Sequence, residues 1–266
     1  MSGSSTNSTN STNSAGDEAT PPRLPLPRPA HHRPGVPAPW EGLPTDQRID
    51  IGLDRVVAAV QRSDAAHVLP EPWPALLVEG RPPRPAAVLV PLFEEAGEAR
   101  VVLTVRSSHL RSHRGEVAFP GGRLEAGEDV VDAALREASE EIGLDPATVT
   151  VVGQLTTRTT AVSYSIMTPV VATLPRRPRL AAHPAEVDRI FDVALADLLA
   201  DGVFHEELWA VPGRVGAGGV EGAEFPVWFF AAGGETIWGA TARALFELCC
   251  VVLGLSVSDS VDRPRT

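Results

Sequence analysis

An α/β domain is the fold this sequence predicts, and three observations carry that prediction. Short apolar runs of strand length recur between turn residues. Two or three longer segments carry apolar residues on one helical face. Apolar residues make up 43% of the 266, enough for a substantial core. Strands mixed with helices in this way give a layered α/β or α+β arrangement. The length fits one domain with tails, or two small domains, and no internal repeat is visible.

In chain order, residues 1–45 open with Ser/Thr/Asn repeats and continue as a proline-rich stretch, PPRLPLPRPAHHRPGVPAP. Both compositions favour solvated chain, so a disordered tail is expected there. The folded domain is expected over residues 46–256. Thr45 caps a predicted helix running to about Arg62, with Ile49, Leu53, Val56, Val57 and Val60 on one face. Ala86 to Phe93 and Arg100 to Val105 read as strands joined by the turn EEAGE, hence a hairpin. Val149 to Leu155 and Ile166 to Leu174 are further strands. Glu186 to Leu199 alternates polar and apolar residues, then turns helical. Gly213 to Gly222 holds five glycines and reads as a loop, Phe225 to Ala231 as a strand, and Ala240 to about Leu253 as a helix. Residues 257–266 are polar and are expected to fray.

The formal net charge of −11 argues against a nucleic-acid partner. No apolar run approaches the roughly 18–20 residues of a membrane span. The N-terminus has neither a basic region nor an apolar one, so it does not read as a secretory signal. Cys249 and Cys250 are adjacent within an apolar run, where packing is their expected role. A reducing cytoplasm follows as the expected compartment. All 23 basic residues are arginine, so any phosphate clamp must use guanidinium forks.

The segment GRLEAGEDVVDAALREASEEIGL, Gly122 to Leu144, is where chemistry concentrates. Asp129 suits an N-cap and Gly143 a left-handed C-terminal residue. Val131, Leu135, Ala138 and Ile142 share one face of the intervening helix and would pack on a sheet. Glu137, Glu140 and Glu141 stand at i, i+3 and i+4, so their side chains meet. That side neighbours the buried face, which places the carboxylates at the rim of the domain. Close-set carboxylates repel unless a cation sits among them. Oxygen-only ligands select hard ions, Mg²⁺ first and Mn²⁺ next.

The spacing of Gly122, Glu128, Arg136-Glu137, Glu140-Glu141 and Gly143 resembles the Nudix box position by position, with Ala138 standing where a larger aliphatic residue is usual. The resemblance implies a Nudix fold, an α/β/α sandwich around a mixed sheet with a loop–helix–loop metal motif. It implies hydrolysis of a nucleoside diphosphate linked to a further group. Glu137 and Glu141 would be the main metal ligands, with Glu140 a third ligand or a partner through water. Arg136 would orient the cluster by pairing with Glu128, and Gly122 and Gly143 would permit tight turns. A carboxylate takes the proton from the attacking water. Glu140 and Glu186 are both candidates for that base.

The preceding segment, LTVRSSHLRSHRGEVAFPGG, carries Arg106, Arg111, Arg114, His109 and His113 against one acid, Glu116, and Arg123 follows just beyond. A local positive patch in an acidic protein suits a ligand with several phosphates. This segment resembles the motif that precedes the box in coenzyme A diphosphatases, with Glu116 where glutamine is more usual. EVDRIFDVALADLL and TIWGATARALFEL are similar to the same subfamily. The resemblance, covering roughly residues 46–255, implies Mg²⁺-dependent cleavage of coenzyme A, a small-molecule substrate, to adenosine 3′,5′-bisphosphate and 4′-phosphopantetheine. Arg106, Arg111, His113, Gly121 and Gly122 would contact substrate, and Glu140, Arg136 and Glu186 would serve catalysis. The alternatives are a broader hydrolase of ADP-ribose or NADH and a non-catalytic nucleotide-binding module. Nudix enzymes often form homodimers, although no segment here marks an interface.

Overall fold

The computed structural model describes residues 26–63, 83–160, 165–210 and 224–256. The Ser/Thr/Asn repeats, the Gly213–Gly222 loop and the last ten residues lie outside these. The elements, in order, are β1 (His32–Pro34), α1 (Thr45–Arg48), α2 (Leu53–Arg62), β2 (Arg84–Glu95), β3 (Glu98–Arg106), β4 (Val117–Ala118), β5 (Gly121–Arg123), α3 (Val130–Ile142), β6 (Thr150–Gln154), β7 (Arg158–Thr160), β8 (Ser165–Thr173), β9 (Val187–Ala194), α4 (Leu195–Leu198), β10 (Phe204–Ala210), β11 (Glu224–Ala232), β12 (Glu235–Trp238) and α5 (Gly239–Leu253).

Two sheets form. The larger is mixed. Its spine runs β4-β3-β2-β8-β6, with β5 also on β2, β7 on β8 and β9 on β3. β2 and β8 pair in parallel, and the other pairs are antiparallel. The β2–β3 hairpin turns at Ala96 and Gly97, both at positive φ (55° and 82°), as a tight two-residue turn requires.

Both faces of this sheet are covered, which is why its central strands read as continuous apolar runs rather than alternating ones. Ala87, Leu89 and Val102 face one way, onto Ala133, Ala134, Ala138 and Ile142 of α3. Val90, Leu92, Val101 and Leu103 face the other way, into a larger core with α2 and α5. The second sheet, β1-β10-β11-β12, closes that core with Phe204, Trp228 and Phe230. This is the expected α/β/α arrangement, with helices on both sides of a mixed sheet and an added antiparallel sheet.

Three expectations are corrected. The helix expected from Thr45 to Arg62 is broken into two. Asp50 adopts φ 52°, and Ile51, not Ile49, enters the core, leaving Ile49 42% exposed. Arg48, at the end of α1, is buried and donates to the Leu199 carbonyl and to Asp201. Second, the expected tail boundary at residue 45 falls too late. β1 pairs with β10. Trp40 is fully buried against Phe204, Phe246 and Phe230. One large ring outweighed the proline-rich composition around it. Third, the buried stripe of α3 is Ala133, Ala134, Ala138, Glu141 and Ile142, while Val131 and Leu135 lie at its margin. Small alanines at the centre bring the helix close to the sheet.

Candidate active site

Local chemistry fixes α3. The Asp129 carboxylate accepts from the amides of Val131 and Asp132, which caps the first turn. At the other end Gly143 adopts φ 65°, and its amide donates to the Ser139 carbonyl. The close packing of the helix on β5 then decides where its glutamates go.

Glu141 points inward and is 3% exposed. Its Oε2 accepts from the Gly121 amide at 3.1 Å, and its Oε1 lies 3.6 Å from Arg106 Nη1. Burial pushes its carboxyl up to about 7, against the pull of the Gly121 amide and Arg106. Glu137 is half-buried over Gly122, and burial raises its carboxyl too, with Arg136 opposing. Glu140 is exposed and paired with Arg136 Nη1 at 3.2 Å.

Arg136 organises the rim. Its Nε donates to Glu128 Oε1 at 2.6 Å and its Nη2 to Glu128 Oε2 at 3.0 Å, a two-point fork. Nη2 also donates to the Arg123 carbonyl, and Nη1 sits 3.1 Å from Glu137. The fork lowers the Glu128 carboxyl from its ordinary value, and the Glu125 amide adds to that effect.

A third segment completes the site. The loop between β8 and β9 crosses the C-terminal end of α3, where the amides of Ala181 and His183 donate to the carbonyls of Ile142 and Glu141. This brings Glu186 within electrostatic reach of both Glu137 and Glu141, whose carboxyls it pushes upward. The Glu186 carbonyl accepts from the Ser107 amide at 2.8 Å. Glycines leave room for these approaches. A Cβ on Gly121 would stand 2.4 Å from the Ala87 carbonyl oxygen.

Among the described residues, no three His, Cys, Asp or Glu side chains are already gathered so as to hold a metal ion. The cations beside the carboxylates are guanidinium groups, Arg136 at Glu137 and Glu140 and Arg106 at Glu141. The donor set is nonetheless all-oxygen, and a buried carboxylate pushed toward neutrality is one that a divalent cation would stabilise as the anion.

The NUDIX domain family matches residues 82–208. A Photorhabdus laumondii protein named Uncharacterized Nudix hydrolase NudL is 37% identical over 166 residues, covering 62% of this chain and 83% of the relative. The chain belongs to the Nudix family. An Escherichia coli protein of the same name is 36% identical, over 62% of this chain and 81% of its own length. Among solved structures, the Caenorhabditis elegans Ap4A hydrolase binary complex is 23% identical with a TM-score of 0.34, covering 40% of this chain and 76% of that one.

The Nudix segment thus brings Glu137, Glu141 and Arg136 together with Gly121 and Gly122, and Glu186 joins them from a distant loop. Arg106 reaches the same place. Arg111 is exposed, and His113 turns to Glu116, its Nδ1 lying 2.9 Å from Oε2. His113 adopts φ 55°, so it shapes its loop as well. Two features escaped sequence reasoning. One is the backbone docking at His183, which no side-chain pattern encodes. The other is Asp188, which accepts from the Ser108 amide at 2.9 Å and looks like one more polar position in an alternating strand.

Proposed function

We propose that this Nudix protein hydrolyses the diphosphate of coenzyme A or an acylated derivative, with Mg²⁺, yielding adenosine 3′,5′-bisphosphate and the 4′-phosphopantetheine product. The observation that carries the reading is the meeting of Arg106 with Glu141 at 3.6 Å. It joins the arginine-rich segment to the innermost carboxylate. An anhydride held at that carboxylate has a guanidinium beside it, and Arg111 and Arg114 lie further along an exposed loop, where additional phosphates can be met.

In this reading Glu137 and Glu141 would hold the divalent ion, with Glu140 a third ligand or a partner through water. Mn²⁺ is the alternative ion. Bound there, the ion offsets the charge of the diphosphate and lowers the pKa of water. Arg136 keeps Glu137 and Glu140 in place through its fork with Glu128. Glu186 takes the proton of the attacking water as the new P–O bond forms and the bridging P–O bond breaks. Glu140 is the weaker candidate, since its carboxylate already engages Arg136. Gly121 contributes its amide, and Gly122 the space in which Glu137 sits.

A product assay by mass spectrometry tests this. Purified protein and Mg²⁺ would be given coenzyme A, acetyl-coenzyme A, 3′-dephospho-coenzyme A, ADP-ribose and NADH, in ¹⁶O and ¹⁸O water. Preferential cleavage of the 3′-phosphorylated compounds is expected. Equal turnover of ADP-ribose or NADH points instead to a broader hydrolase. Absence of all turnover, with nucleotide still bound, points to a binding module.

A further inference from the structure

β3 and β9 pair in register until their ends, where Val105 faces Arg189 and Arg106 faces Val187. Asp188 is thus the extra residue of a β-bulge, a device that re-aims one side chain out of the ladder. Its carboxylate is aimed across the strand gap at the arginine-bearing loop, and Oδ2 accepts from the Ser108 amide at 2.9 Å. One residue before Ser108 and two before Asp188, the Ser107 amide donates to the Glu186 carbonyl at 2.8 Å. The loop from Ser107 to Gly115 and the segment from His183 to Asp188 are therefore stitched by two adjacent bonds. The base of the arginine loop is closed separately, by the bonds from Arg106 N to Glu116 O and from Gly115 N to Arg106 O.

We propose that Asp188 is a positioning residue. By holding the Ser108 amide, it keeps the arginine loop and the Glu186 segment at a fixed separation, so that groups contacting phosphate and the carboxylate beside Glu137 and Glu141 move as one unit. The kinetic part of this inference rests on the diphosphatase reading; the structural part does not.

Asp188→Ala and Asp188→Asn separate the roles, because the asparagine amide oxygen can still accept from Ser108. Hydrogen exchange of metal-free protein gives the first measurement. In Asp188→Ala the Ser107 and Ser108 amides should exchange about tenfold faster or more, and in Asp188→Asn close to wild type. With coenzyme A and Mg²⁺, Asp188→Ala should lose about five- to tenfold in kcat/KM, through both a lower kcat and a higher KM, and Asp188→Asn should restore most of it. Unchanged exchange at Ser107 and Ser108 in Asp188→Ala overturns the proposal. So does an asparagine variant as impaired as the alanine one, since charge and not the bond would then be responsible. A wild-type protein that cleaves no diphosphate defeats the functional reading alone, and the exchange result still decides the role of Asp188.

Discussion

Gly122 lies directly beneath the carboxylate of Glu137: a Cβ on the glycine would stand 2.2 Å from Oε1 and 2.4 Å from Cδ. The contact joins β5 to α3 and gives one hydrogen atom the task of admitting a carboxylate. The obstructing group is the far end of a flexible side chain, not backbone, so an added methyl displaces Glu137 and leaves the helix where it is.

Gly122→Ala is therefore expected to keep the fold and lose the site. A carboxylate shifted by about an ångström should cost on the order of a hundredfold in kcat/KM, while the thermal midpoint moves by only a few degrees. Kinetics with coenzyme A and a thermal scan on the same preparation check this. A variant that unfolds outright would show that the contact is structural instead.

Glu141→Gln addresses the buried carboxylate. Burial raises the Glu141 carboxyl to about 7 in the folded protein, from an ordinary value near 4.5. The raised value means that folding favours the protonated form. Relative to pH below 4.5, stability is given up progressively as pH rises toward and through 7. The glutamine carries no charge at any pH. In chelator-treated protein the variant should thus match wild type near pH 5 and exceed it at pH 8. Added Mg²⁺ should stabilise wild type and leave the variant unchanged. Urea unfolding at the two pH values, with and without Mg²⁺, measures both effects.

Local signals were readable in the sequence where one element contains the whole physical cause. Asp129 and Gly143 bound α3 as their side-chain and backbone chemistry demands, and the Arg136–Glu128 fork spans a single loop and turn. The hairpin over β2 and β3 followed from two apolar runs and a glycine-bearing turn. What stayed hidden depends on partners far away in sequence. Trp40 is buried only because β10, β11 and α5 converge on it, and β10 itself, FHEELWA, mixes acids with aromatics in a way that hides its pairing. The depth difference between Glu141, at 3% exposed, and Glu140, on the rim, comes from how closely the alanines let α3 approach the sheet. Helical spacing alone makes those two glutamates look alike.

The N-terminal segment yields a stability prediction. Trp40 packs with ring centroids 5.4 Å from Phe204 and 5.5 Å from Phe246. Trp40→Ala empties that volume and should destabilise the protein by about 3–5 kcal/mol. Truncation of residues 1–40 should cost at least as much, because β1 is lost as well. A chain starting at residue 26 retains both features. Denaturant unfolding of the three proteins tests the order. Wild-type stability in the 1–40 truncation would show that Trp40 only fills space that the core can close over.

The pairing of His113 with Glu116 gives the last expectation, a pH dependence confined to one loop. The hydrogen bond to Glu116 raises the imidazole above its ordinary value near 6.5, and burial opposes it only in part. A folded-state value above the unfolded one means the pair's contribution is fully present below pH 6.5. That contribution disappears as pH rises through the folded value. Glu116→Gln removes the ionic partner, so wild type should exceed the variant near pH 6 and converge with it by about pH 9. The gap should be small, about 0.2–1 kcal/mol, because both side chains are about one-third exposed. Urea midpoints at the two pH values, read beside an NMR titration of His113, test it. An imidazole that titrates below 6.5 in wild type would mean that burial outweighs the carboxylate. Glu116 would then serve only to hold the backbone of the arginine loop.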